Sequence, residues 1–99
     1  MSDEVEVSSN NGGVSIKGPL TFSTVPGLVP LAKSWLELGE DSIEVNLAGV
    51  THADSAGVAL LLQWWSILHT NHRRLRYTNV PKQVERFIRI NGLDATLLA

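Results

Sequence analysis

Apolar and polar positions alternate along some stretches of this chain and recur with helical spacing along others, and the two patterns take turns. Val5 and Val7 alternate with acids, and Val14 and Ile16 alternate with Ser15 and Lys17. The run Ser8-Ser9-Asn10-Asn11-Gly12-Gly13 between them is built of turn formers, so the pair predicts a β-hairpin. Gly18-Pro19-Leu20 is expected to break the second strand, which then resumes for a residue or two. Ile43–Leu47 predicts a third strand and Arg74–Asn79 a fourth.

The helical stretches lie between and after these strands. Leu28, Leu31, Trp35 and Leu38 fall at i, i+3, i+7 and i+10, a core-facing stripe. Pro26 suits a first turn, whereas Pro30 lacks the N–H that a helix interior uses; the regular part should therefore begin near Pro30 and end at Gly39. A second helix is predicted from Ser55 to about Thr70, with Asn71 and His72 as its exit. A third starts at Pro81 and runs through Ile90, closed by Asn91-Gly92. In it Val84, Phe87, Ile88 and Asn91 are expected to face inward, with Lys82, Arg86 and Arg89 outside. Leu93–Ala99 reads as a short apolar tail packed on the rest. The order β, β, α, β, α, β, α implies a hairpin followed by parallel crossovers. Residues 1–99 thus predict one α/β domain, a four-stranded mixed sheet with helices largely on one side.

The middle helix is more apolar than one buried face requires. Gly57, Leu60, Leu61, Trp64 and Leu68 share one arc, the expected core face, and Gln63, Ser66 and Thr70 mark the wet side. A second stripe, Val58, Leu62, Trp65 and His69, lies between them. The apolar arc spans about 200°, where covering a sheet needs little more than about 100°. A neighbouring helix could cover the second stripe; an exposed docking face with Trp65 as its anchor is the other reading, and Val58, Leu62 and Trp65 are candidate partner-binding residues on it.

Composition narrows the chemistry. The 99 residues are 43% hydrophobic and 18% charged, enough for one core, and include no cysteine, which excludes disulfides and thiol catalysis. The acidic start, MSDEVEVSS, has no apolar core of a secretory signal, and the longest apolar run, Val58–Leu62, is far below the roughly 20 residues of a membrane span. A cytoplasmic protein without direct membrane insertion is expected. The net charge of −2 is unevenly spread: residues 1–54 carry two Lys/Arg against eight Asp/Glu, and residues 55–99 carry six against two. The basic half has no interleaved aromatic platform, so nucleic acid is not an expected partner.

Thr51-His52-Ala53-Asp54-Ser55 joins the third strand to the middle helix. An acid and a hydroxyl at a helix start can form a cap, an anion site or a docking point. His52, Asp54 and Ser55 are adjacent on one turn and point apart, unlike a catalytic triad, so Asp54 is read as the helix cap. His69 and His72 have no third ligand placed nearby, and no phosphate-cradling or dinucleotide motif occurs. No catalytic residue, metal or cofactor is expected.

Ile16-Lys17-Gly18-Pro19-Leu20 and above all Val45-Asn46-Leu47-Ala48-Gly49-Val50-Thr51-His52-Ala53-Asp54-Ser55-Ala56-Gly57-Val58-Ala59-Leu60-Leu61 resemble the STAS family over roughly Val5 to Leu93. The Asp-Ser-x-Gly-Val corner after a hydrophobic strand is the specific part. Within the family, Leu28-Val29-Pro30-Leu31, Asn79-Val80-Pro81 and Asn91-Gly92-Leu93 look like the small STAS subunits of ABC-type phospholipid transporters. That resemblance implies a non-catalytic subunit bound to the transporter's cytoplasmic ATPase, in a complex with a membrane permease and so peripheral to the inner membrane, with Asp54 and Ser55 at the contact. The alternative it implies is an anti-sigma factor antagonist binding a kinase-like anti-sigma factor; a third reading is a small-ligand or nucleotide binder using the corner. In the antagonists the second serine of the motif is phosphorylated, and that position is Ala56 here. A phosphate on Ser55 is chemically allowed at a helix start, although no residue of the sequence points to one.

Overall fold

The computed structural model describes residues 4–10 and 13–98. Asn11 and Gly12, the centre of the expected hairpin turn, lie outside these, as does Ala99. The elements are β1 (Glu6–Asn10), β2 (Gly13–Leu20), α1 (Val25–Leu28), α2 (Leu31–Glu37), β3 (Ser42–Ala53), α3 (Ser55–Thr70), β4 (Arg74–Thr78), α4 (Lys82–Ile90) and α5 (Asp94–Leu97). The sheet order is β1-β2-β3-β4. β1 and β2 are antiparallel, while β2–β3 and β3–β4 are parallel. Each parallel crossover steps the same way across the sheet, and a constant hand of crossover puts its helix on the same face each time. The expected mixed sheet with one-sided helices is what forms.

Side-chain alternation assigns the faces. Val14, Ile16, Leu20, Ile43, Val45, Leu47, Leu75 and Tyr77 point under the helices and are buried. Ser15, Lys17, Glu44, Arg74 and Arg76 point to the other face and are exposed. β3 keeps its core side through Val50 and Ala53 only because its register against β2 shifts twice, between Ser15 and Lys17 and between Gly18 and Leu20. Each bulge adds one residue to β3 and resets its alternation. β3 is therefore longer than the expected Ile43–Leu47, and it absorbs most of the polar corner. β2 likewise runs unbroken to Leu20: Gly18, at φ +115°, passes close to the Glu4 carbonyl, where a side chain would not fit.

Two faces and one boundary differ from the expectation. The stripe expected from Leu28 to Leu38 is split, because α1 ends at Leu28 and α2 begins at Leu31 with Pro30 as its cap. The break resets the helical phase, so Leu28, Ala32 and Trp35 are buried but Leu38, at the C-cap, is 69% exposed. Asn91 does not face inward; it is exposed and its amide donates to the Phe87 carbonyl at 2.9 Å, closing α4. Ser8, Ser9 and Asn10, expected in a turn, belong to β1.

α3 forms where the sequence pattern puts it, and its core arc is buried throughout. Trp64 is fully enclosed; its indole N–H donates to the Leu28 carbonyl at 3.2 Å and its ring meets Trp35 edge-on at 4.9 Å. On the sheet side, the Tyr77 hydroxyl donates to the Leu61 carbonyl at 2.7 Å, and burial pushes its phenol well above the usual range. The N-terminal end of α3 sits unusually close to β2. A Cβ on Gly57 would overlap the Leu20 carbonyl oxygen and lie 2.9 Å from the Leu20 Cβ.

Helix propensity alone would make Gly57→Ala stabilising by about 1 kcal/mol. The contact with Leu20 opposes that, and overpacking of this kind costs about 1–3 kcal/mol or more. Urea unfolding should therefore find Gly57→Ala less stable than the natural chain; a gain in stability would mean that α3 does not approach β2 as described.

Candidate functional site

Leu20 at the end of β2, Ala53 at the end of β3 and Asp54 at the start of α3 meet at one corner of the domain. Asp54 is in extended conformation, as a cap residue must be, and its Oδ1 accepts the Gly57 N–H at 3.1 Å. Its other oxygen, Oδ2, accepts the Phe22 N–H at 3.0 Å from the loop between β2 and α1. The Asp54 N–H in turn donates to the Leu20 carbonyl at 3.1 Å. The same residue thus caps a helix and fastens a loop 32 positions away. Across the corner, the Gln83 amide pairs with both backbone groups of Ala53, at 3.1 and 3.2 Å, as a neighbouring strand would. β4 is too short to reach that point, so α4 supplies the missing partner.

The loop is fixed from its own side too. The Thr24 hydroxyl donates to the Pro19 carbonyl at 2.8 Å and accepts the Thr21 N–H at 3.0 Å. Between these anchors Phe22 has its backbone tied to Asp54 and its side chain 82% exposed. An aromatic ring left in water on a tethered loop is the most conspicuous surface feature beside the corner. Helical and strand periodicity says nothing about a loop residue, and no other signal in the sequence singles it out.

Ser55, the first residue of α3, is exposed, and among the described residues its hydroxyl has no hydrogen-bond partner. Asp54 and Ser55 are thus together at the corner, with different assignments: the carboxylate is occupied twice, the hydroxyl is free. Val58 departs from expectation, being only 3% exposed. The tight seating of Gly57 on β2 sinks the first turn of α3 and takes Val58 into the core with it. Leu62 and Trp65 are half-buried and packed against the core. Trp65 stacks on His69 with ring centroids 4.5 Å apart and planes 11° from parallel. The solvent-facing line of α3 is therefore Ser55, Ala59, Gln63 and Ser66, with Leu62 and Trp65 at its edge. No residue of α3 is acidic, lysine or arginine, the depletion of charge found in the centres of protein interfaces.

Electrostatics at the corner centre on Asp54. The Phe22 N–H is the largest influence and holds the carboxyl below the usual range; partial desolvation opposes it, and the N–H groups of the first turn of α3 reinforce it. Among the described residues no cluster of three or more His, Asp or Glu could hold a metal ion. His69 and His72 lie at the far end of α3, away from the corner. No helix of the described residues is long and apolar enough to cross a membrane.

A carboxyl whose folded-state pKa is depressed contributes stability that is complete above its unfolded value and is lost as pH falls through the folded one. Asp54→Asn keeps one acceptor for the cap but cannot also receive the Phe22 N–H with a charge. It should be less stable than the natural chain at pH 7 by about 1 kcal/mol. That gap should shrink as the pH falls below about 4. A gap that stays constant to pH 3 in denaturant titrations would remove the charged clamp.

The family model described as "Mlab, STAS domain" matches residues 4–99. The anti-sigma-B factor antagonist of Staphylococcus epidermidis is 31% identical over 80 residues, covering 81% of this chain and 74% of that protein. Among solved structures, an anti-sigma factor antagonist from Mycobacterium paratuberculosis superposes with a TM-score of 0.77 at 20% identity, over 98% of this chain and 86% of that one. SpoIIAA, an anti-sigma factor antagonist in its unphosphorylated form, does so with a TM-score of 0.75 at 19% identity, over 95% and 85%. With a family model matching nearly the whole chain, a relative 31% identical over 80 residues and the same fold in solved structures, this chain belongs to the STAS family.

Proposed function

We propose that this chain is a non-catalytic docking module that binds a nucleotide-handling partner protein through the Asp54–Ser55 corner, Phe22 and the outer line of α3. The observation that carries this reading is Phe22, an exposed aromatic side chain on a backbone held by Asp54. A pre-positioned aromatic loses little freedom on docking, which is the usual property of an interface anchor. The uncharged outer line of α3 and the free Ser55 hydroxyl extend the surface beside it.

The partner class has two readings. The curated relatives are anti-sigma factor antagonists, which supports a kinase-like anti-sigma factor as partner. Ala56 favours the second reading, the ATPase subunit of an ABC-type phospholipid transporter. It removes the hydroxyl from the position phosphorylated in the antagonists, and a contact that phosphorylation there does not switch suits a standing subunit. In that setting the chain is peripheral to the inner membrane through its complex, and ATP hydrolysis belongs to the partner.

Binding to each partner class, read by calorimetry with and without ATP, separates these readings. In either case Phe22→Ala should leave the melting temperature nearly unchanged and weaken partner binding by about 2 kcal/mol or more. Ser55→Ala should cost about 1–3 kcal/mol if its hydroxyl is buried on docking. Trp65→Ala, half-buried on the core, should lower both affinity and stability. Undiminished affinity in both Phe22→Ala and Ser55→Ala would remove the corner as the docking site. Micromolar ATP binding by the chain alone, abolished by changing Asp54 or Ser55, would instead establish the ligand-binding alternative.

A further inference from the structure

The surface of α4 does not take part in the corner except through Gln83, yet it holds a feature of its own. Gln83, Arg86, Phe87 and Ile90 line a shallow cavity of about 250 Å³. Ile90 is 79% exposed and Phe87 half-buried, so one wall is aliphatic and one aromatic. The inward positions of α4 are Val84 and Ile88; Ile90 lies off that face, and nothing in the packing of the domain requires a large apolar residue there. The Gln83 edge of the cavity is fixed, because its amide is bonded to both the N–H and the carbonyl of Ala53.

The charges around the cavity are unbalanced in a particular way. Arg89 is neutralised by Glu85 at 3.2 Å and by Asp94 of α5 at 3.6 Å. Lys82 and Arg86 are exposed, and among the described residues neither has an ion-pair partner. Positive charge is therefore left over on the side of the groove where Arg86 forms its lining. A cavity of this size admits one large side chain, and the guanidinium at its edge is placed to take a carboxylate, the fork geometry in which arginine binds most tightly.

We propose that this groove is a second docking surface, which receives an acidic segment of a partner polypeptide carrying one large apolar side chain. The apolar side chain enters between Phe87 and Ile90, and flanking carboxylates meet Arg86 and Lys82. An anionic membrane fits less well: a concave site for a single side chain and two unopposed cations on a helix of nine residues offer little to a plane of headgroups. This surface is independent of Ser55 and Phe22, so its failure would leave the corner untouched.

The test is titration of the ¹⁵N-labelled chain with three synthetic peptides. One is rich in Glu and Asp around a central Leu, one has the acids replaced by Lys, and one keeps the acids but has Ser for Leu. The first should shift the amide signals of Gln83, Arg86, Phe87 and Ile90, with an affinity that falls as salt is added. Arg86→Glu and Ile90→Ser, both at exposed positions, should each weaken that binding by about tenfold or more while leaving the spectrum of the fold intact. Equal shifts with the Lys peptide or the Ser peptide would overturn the proposal, as would no shift at millimolar peptide. Binding of the same residues to phosphatidylglycerol vesicles in preference to the acidic Leu peptide would overturn it in favour of a lipid surface.

Discussion

The two oxygens of Asp54 are the constraint on which the rest of this corner depends. One satisfies an orphan N–H of α3 and the other an N–H of the β2–α1 loop. Without the first, α3 would begin uncapped; without the second, the loop would have no hold on the helix. Sheet and helices converge on this residue, because its own N–H completes the end of β2 through Leu20. The bonds are ordinary in strength, each contributing about 1 kcal/mol net. Their weight comes from position: the Gly57 bond fixes the start of α3, and the Phe22 bond joins two segments that the sheet ladder does not.

The clamp also accounts for the state of Phe22. Burying a phenylalanine stabilises by about 1.5–3 kcal/mol, so a free loop would tend to fold the ring against the nearest apolar surface. Tied at its backbone to Asp54 and braced by Thr24 on Pro19, the loop holds the ring outward instead. α3 shows the same division of labour within one helix. Its inner arc, with Trp64 enclosed between Leu28 and Trp35, secures the domain. Its outer line is uncharged and open, and stability gives no reason for that.

Much of the fold is legible in the sequence, because periodicity reports burial wherever an element is regular. The bounds of α3, the inward arc of Gly57, Leu60, Leu61, Trp64 and Leu68, and the mixed sheet follow from spacing alone. Legibility fails where a local irregularity resets the phase. Two bulges carry β3 on to Ala53, the Val29–Pro30 break turns Leu38 outward, and the close seating of Gly57 takes Val58 into the core. Of the site, the capping role of Asp54 is readable from its residue type and place before an apolar run. Its second bond is not, for Phe22 lies 32 positions away with no pattern linking the two. Exposure of a loop aromatic is likewise a tertiary fact.

The corner stands or falls on whether Asp54 holds the Phe22 backbone, and amide hydrogen exchange measures that directly. Phe22 has an exposed side chain in a surface loop, where an unbonded amide exchanges at close to the random-coil rate. If the carboxylate accepts its N–H, the Phe22 amide will be protected in the natural chain. Asp54→Ala will abolish that protection while the amides of Val45 and Leu61 in the core keep theirs. A Phe22 amide that exchanges freely in the natural chain, or stays protected when Asp54 is replaced, would contradict the clamp.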